Sequence, residues 1–137
     1  MGINPIDFIK AVRARAAAEP DKVYEIPDQL DEETGEFVEG GACVYVEIDQ
    51  DTKEKVPSCL IGCALADLEV PLAQMEAFNE NSIYGLDSYL GLELPQAVVE
   101  WASRVQNGQD DKRTWSDAIE FGDERATLPA EYQEVAA

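Results

Sequence analysis

The sequence predicts an α+β fold: a mostly helical single domain spanning residues 1–137, with about five helices and a small antiparallel sheet. Three observations predict it. Several segments repeat apolar residues at helical spacing, and one run alternates apolar and polar residues as a strand does. A chain of 137 residues, 45% of them hydrophobic, is also the size that builds one core without staples.

Asn4-Pro5 opens the first helix as an N-cap followed by proline at the first helical position, and Ile6, Ile9, Val12 and Ala16 carry the stripe to about residue 18. Its other face holds Lys10, Arg13 and Arg15. Glu19-Pro20-Asp21 ends it, because proline cannot continue a helix. Residues 23–26 are a short strand candidate, and residues 28–35 (DQLDEETG) read as an acidic loop or hairpin turn that extends to 39. The run ACVYVEI from Ala42 is the strongest strand, with Val44, Val46 and Ile48 on one face and Cys43, Tyr45 and Glu47 on the other. A turn over 49–52 allows residues 53–56 to return as its partner.

Pro57-Ser58 starts the second helix, with Ser58 as expected N-cap and Leu60, Ile61, Ala64, Leu65 and Leu68 as its apolar stripe. A short third helix from Pro71 buries Leu72, Met75 and Phe78. Residues 79–92 read as loop, with Gly85 and Gly91 and with Ile83, Leu86, Tyr89 and Leu90 tucked against the core. A long helix from about Pro95 puts Leu94, Val98, Trp101, Ala102 and Val105 on one face and is expected to stop at Asn107-Gly108. The last helix covers about 114–121, using Trp115, Ala118 and Ile119, and a loose tail is expected over about 123–137.

Charge is the strongest compositional signal. There are 29 acidic and 10 basic residues, a net −19, and residues 19–54 alone hold thirteen acidic and two basic residues, a net −11. Such a field repels phosphate backbones and acidic lipid, so direct nucleic-acid or membrane binding is disfavoured, whereas a basic partner is attracted and steered. An acidic surface also serves simply to keep a protein soluble. No run of 18 apolar residues occurs, and the first residues lack the basic and apolar regions of a signal peptide, so a cytoplasmic protein is expected. The odd set Cys43, Cys59 and Cys63 fits free thiols in a reducing compartment.

The chain has no histidine, which removes Ser-His-Asp and Cys-His nucleophile arrangements and histidine-bearing zinc sites. Cys59 and Cys63 share a helix face with Cys43 nearby. Structural zinc takes four ligands from CxxC-like knuckles, so buried thiols acting as small hydrophobes fit better. Asp49, Asp51 and Glu54 resemble a calcium-loop fragment without the glycine and terminal glutamate that complete one. Neither a GxGxxG nor a P-loop is present. The rhythm of CALADLEVPLAQMEAF suggests a helix-turn-helix, but its second helix would expose Gln74, Glu76, Asn79 and Glu80, with no basic residue between Lys55 and Arg104. No catalytic residue, metal ligand set or cofactor is therefore predicted.

The order of motifs over about residues 42–120, CVYV, then PSCLIG-x-AL, then a turn ending in Val-Pro, then QNGQDD-x-x-TW-x-x-A, resembles small proteins of actinobacteriophages and their actinobacterial hosts. That group has no settled function, so the resemblance implies a phage or prophage setting and no activity. Glycine stands before the Val-Pro turn in that group, where this chain has Glu69.

The expected function is that of a non-enzymatic acidic phage-type protein that binds and modulates a basic, nucleic-acid-binding host protein in the host cytoplasm. Asp28, Asp31, Glu32, Glu33, Glu36, Glu39, Glu47, Asp49 and Asp51 form the expected binding face. Duplex DNA carries one charge per roughly 1.7 Å of axis, and residues 28–39 are the stretch that approaches this density, so the face could stand in for phosphates. The alternative is a small structural or assembly phage protein, self-associating or docking on a phage component through Ile83, Tyr84, Tyr89 and Trp115.

Overall fold

The computed structural model describes residues 2–40 and 43–133; Ala42 of the expected strand and residues 134–137 of the expected tail lie outside the described residues. Among the described residues, seven helices and four short strands follow one another. The class is α+β and mostly helical.

Helix α1 (Pro5–Ala18) begins as its sequence requires, with the Asn4 side chain accepting the Ile6 and Asp7 N–H groups at 2.8 and 3.2 Å. Phe8, Ile9, Val12 and Ala16 form its buried face, so Phe8 takes the place expected for Ile6. Residues 23–26 form no strand. Val23 makes a single antiparallel bridge to Thr114, and the Trp115 N–H donates to the Lys22 carbonyl, so this segment clamps the start of a later helix.

The antiparallel pairing is divided between two hairpins. Strands β1 (Gln29–Leu30) and β2 (Phe37–Val38) form the first, and β3 (Val46–Ile48) and β4 (Lys55–Pro57) the second. The alternation expected from Val44 to Ile48 does not appear in burial, because Val44, Tyr45 and Val46 are all 1% exposed and Glu47 and Ile48 are both half-buried. A later short helix, residues 72–76, packs on this strand and covers what a one-sided strand would leave open.

Helix α2 (Leu60–Asp67) is capped by Cys59, whose Sγ accepts the Gly62 N–H; Ser58 is not the cap. The Ser58 hydroxyl instead reaches Glu47 at 2.6 Å and Tyr24 at 2.9 Å. Glu69 takes the left-handed conformation (φ 67°) where a helix ends in a reversal, and the Val70 N–H closes back to the Leu65 carbonyl at 3.0 Å. Helix α3 (Leu72–Glu76) buries Met75. Residues expected as loop contain helix α4 (Ile83–Leu90), capped by Ser82 and ended by Gly91 at φ 62°. Ile83 and Leu86 are buried and Leu90 packs against the core as expected, while Tyr89 is exposed; the two glycines and the polar lead-in disguised the segment as loop.

Helix α5 (Gln96–Asp110) runs past the expected stop. Gly108 lies in the helix because α6 (Trp115–Arg125) passes so closely that a Cβ there would stand 3.2 Å from the Ala118 Cα. Thr114 caps α6, which extends beyond residue 121. Ala126 and Leu128 are then buried, and α7 (Ala130–Gln133) follows, so the described part of the expected loose tail is packed.

One core joins these pieces. Trp101 and Trp115 are fully buried between α5, α6 and α1. Arg13 grips Asp123 with both terminal nitrogens at 2.9 and 3.1 Å, and the same carboxylate accepts the Trp101 indole N–H at 2.9 Å. Gln109, 1% exposed, accepts the Leu60 N–H at 2.8 Å and so ties α5 to the start of α2. Full burial of one large apolar side chain stabilises by about 1.5–3 kcal/mol, whereas a partly exposed ion pair such as Arg15–Asp67 contributes about 0–1 kcal/mol. The core therefore dominates. Among the described residues, no helix is long and apolar enough to cross a membrane.

Candidate binding groove

The two hairpins turn on the same device. Asp31 accepts the Glu33 and Thr34 N–H groups at 2.9 and 3.4 Å, and Asp49 accepts those of Asp51 and Thr52 at 2.8 and 3.0 Å. In both, a threonine hydroxyl (Thr34, Thr52) then accepts the N–H of a glutamate two residues on (Glu36, Glu54), each at 3.3 Å. The residue between them is left-handed: Gly35 at φ 73° and Lys53 at φ 63°. The main-chain closures match as well, Gly35 to Asp31 at 2.7 Å and Lys53 to Asp49 at 2.8 Å. Leu30-Asp-Glu-Glu-Thr-Gly-Glu and Ile48-Asp-Gln-Asp-Thr-Lys-Glu are thus one hairpin written twice, offset by 18 residues (49 − 31). The Lys53 ammonium lies 4.5 Å over the Phe37 ring and fastens the two turns together.

Between the hairpins and α3 lies a groove of about 350 Å³. Its floor is apolar, made by Leu30, Val44, Val46, Ile48, Ala73 and Ala77. Its rim carries Asp28, Glu32, Glu47 and Glu76. Glu76 is paired with Lys55 at 2.9 Å. Glu47 accepts the Ser58 hydroxyl, which leaves Ser58 to accept from Tyr24, whose oxygen in turn accepts the Val44 N–H at 3.3 Å. This polar chain anchors the strand under the groove. Burial raises the Tyr24 hydroxyl pKa, more than its bond to Ser58 lowers it, so it stays a neutral donor.

The nine carboxylates expected as a binding face fall into three groups. Asp28, Glu32 and Glu47 border the groove. Asp31 and Asp49 are turned back into their own turns, and the Thr52 and Asp51 N–H groups hold the Asp49 carboxyl below its ordinary range. Glu33, Glu36, Glu39 and Asp51 are exposed on the hairpins away from it. The floor residues, α3 and Asn79 went unforeseen as site residues. The repeated Leu/Ile-Asp-x-acid-Thr-x-Glu spacing was the signal that could have found the paired hairpins.

The thiols are held differently. Cys59 is fully buried, and burial followed by the neighbouring Cys43 pushes its pKa well up. Burial raises Cys63 too, against the opposing pull of Arg15 and Lys22. Cys43 is half-buried and receives the Gln106 and Gln109 amides at 3.6 and 3.7 Å. Among the described residues, no three His, Cys, Asp or Glu side chains gather as a metal-holding group. Of the apolar surface expected for assembly, Trp115 and Ile83 are fully buried, while Tyr84 (48%) and Tyr89 (58%) are exposed. Trp115 packs under Lys22 and Ile83 anchors α4, so neither can form a surface.

Geometry and charge define a mostly helical α+β domain with an acid-rimmed apolar groove. Comparison with protein-family models, curated proteins and solved structures finds no match.

Proposed function

We propose that this chain is a non-enzymatic acidic binding protein of phage type that engages and modulates a basic host protein in the host cytoplasm. The observation that carries the reading is the groove: apolar floor beneath Asp28, Glu32 and Glu47, set in the segment that holds a net −11. Carboxylates alone would suit solubility. Carboxylates around an apolar floor suit a partner that brings cations together with something to bury. Nucleic-acid-binding host proteins offer such surfaces, and the exposed carboxylates of both hairpins extend the field that would steer them.

The immobilised protein, challenged with host lysate, is expected to retain basic proteins at low salt. It should release them steeply as the screening length falls from about 10 Å at 0.1 M toward about 3 Å at 1 M salt. A variant with Asp28, Glu32 and Glu33 changed to Lys should retain none of them. Retention that ignores both salt and charge reversal would sink the reading.

The second reading is assembly through exposed aromatics. Tyr84 and Tyr89 favour it, with Tyr89 stacked on Phe78 at 4.6 Å. Sedimentation separates the two, because a monomer at high concentration excludes self-association.

A further inference from the structure

The groove has a second property, and it resides in the main chain. In an antiparallel pair, residues alternately point their N–H and C=O groups toward the partner strand and away from it. Asp49 bonds Glu54 and Ser58 bonds Tyr45, which fixes Glu47 as the inward residue of β3 and turns Val46 and Ile48 outward. The bond from Asp31 to Glu36 fixes the equivalent parity in the first hairpin, so Leu30 of β1 points its main-chain groups away from β2. Leu30 and Ile48 hold the same position in the repeated hairpin, and both line the groove.

Two other outward positions are closed. The Asn79 side chain occupies both main-chain groups of Val46, and on β4 the outward residue Pro57 has no N–H to offer. Among the described residues, no backbone hydrogen bond joins β1 to β3, and none is made by the outward groups of Leu30 or Ile48. Open strand edges invite another strand, and proteins usually blunt them. Here Val46 and Pro57 are blunted, and of the outward positions left open Leu30 and Ile48 are the ones that line the groove.

Resting on the acidic-binding reading above, we infer that the groove's occupant is an extended partner segment alternating lysine or arginine with apolar residues. It pairs with the outward main-chain groups of Ile48 and passes alongside Leu30, because β1 and β3 already approach within 8 Å of each other, too close for a strand between them. A strand presents donors and acceptors along its edges, whereas a helix has spent its own internally and offers none to these two residues. Side chains of an extended segment alternate in direction. One set then meets the floor of Val44, Val46 and Ala77, and the other carries its cations to Asp28, Glu32 and Glu47. Lysine and arginine stems also cover apolar surface while their heads reach a charged rim. The cavity's size lies at the low end of ligand pockets, about 300–1,000 Å³, which suits a short stretch of chain.

The test uses three synthetic probes on the full chain followed by amide NMR: an alternating lysine-valine peptide, the same peptide N-methylated at alternate residues, and a lysine-rich helical peptide. The lysine-valine peptide should bind and shift the Ile48 and Leu30 amides most. N-methylation, which removes edge donors and leaves charge and apolar content in place, should weaken binding tenfold or more. Ala77→Trp, at an exposed position of the floor, should abolish binding while leaving the remaining amide spectrum in place. Equal binding of the parent, N-methylated and helical peptides, with shifts spread over the hairpin tips, overturns the strand-addition inference and leaves the acidic reading intact. Failure of every basic peptide to bind at low salt overturns both. Should Ala77→Trp fail to fold, the N-methylated peptide alone decides.

Discussion

Asn79 pairs with Val46 as a strand would: its amide donates to the Val46 carbonyl at 2.8 Å while its Oδ1 accepts the Val46 N–H at 3.1 Å. The same oxygen takes the Tyr45 N–H at 2.9 Å. Both residues are buried, so truncation strands three main-chain groups at the wall of the groove. Asn79→Ala is expected to cost about 2–3 kcal/mol in urea denaturation, each abandoned buried group being worth about 1 kcal/mol or more. Asn79→Asp keeps the acceptor and loses the donor, and should fall between wild type and alanine. A change under 0.5 kcal/mol for alanine would mean water replaces the amide without loss.

Two left-handed positions should respond with opposite sign. Glu69 ends α2 at φ 67° with a Cβ that this conformation disfavours, so Glu69→Gly is expected to stabilise by about 0.5–1 kcal/mol. Gly35 occupies the same region at φ 73° with open space around it, so Gly35→Ala suffers conformation alone and should lose about 1 kcal/mol. Thermal unfolding of both variants reads the two signs directly.

The Arg15–Asp67 pair, at 2.7 Å, holds the Asp67 carboxyl below its ordinary value of 3.8. A depressed folded-state pKa contributes stability that is present above the unfolded value and lost as pH falls through the folded one. Asp67→Asn should therefore cost something near 0.5 kcal/mol at pH 7, small because the side chain is 40% exposed, and the difference should close below pH 3.8. A cost that persists unchanged in acid would assign the effect to packing instead.

Thiol chemistry offers a check on burial that needs no mutation. With a neutral maleimide at pH 7, Cys43 should label first, since it alone is half-buried and borders a cavity of about 190 Å³. Cys59 and Cys63 are 0% and 5% exposed with pKa values raised by burial, so they should wait for unfolding. Mass spectrometry of partly labelled protein distinguishes one fast site from three.

Local rules made the helices legible. Asn4-Pro5, the Ile9, Val12 and Ala16 positions of α1, the core face of α5 and the Thr114 start of α6 depend on residues a few positions apart, and these stand as the pattern requires. Helix α4 escaped although its core contacts Ile83, Leu86 and Leu90 were legible, because the glycines at 85 and 91 read as loop and Gly91 is in fact the helix end. Gly108 read as a stop and proved to be a contact, because a missing Cβ looks the same in sequence whether it ends a helix or admits a neighbour.

The sequence by itself determined the class of fold, the concentration of negative charge before residue 55 and the absence of histidine chemistry. Those follow from composition and from spacing within single elements. Only the tertiary structure decided which carboxylates share a site, because the groove draws on residues 27–32, 44–48 and 73–79, segments joined by packing and by Asn79 rather than by sequence proximity. Strand edges are decided at the same level. Whether a main-chain N–H is open depends on register and on what lies beside it, and no residue type encodes either.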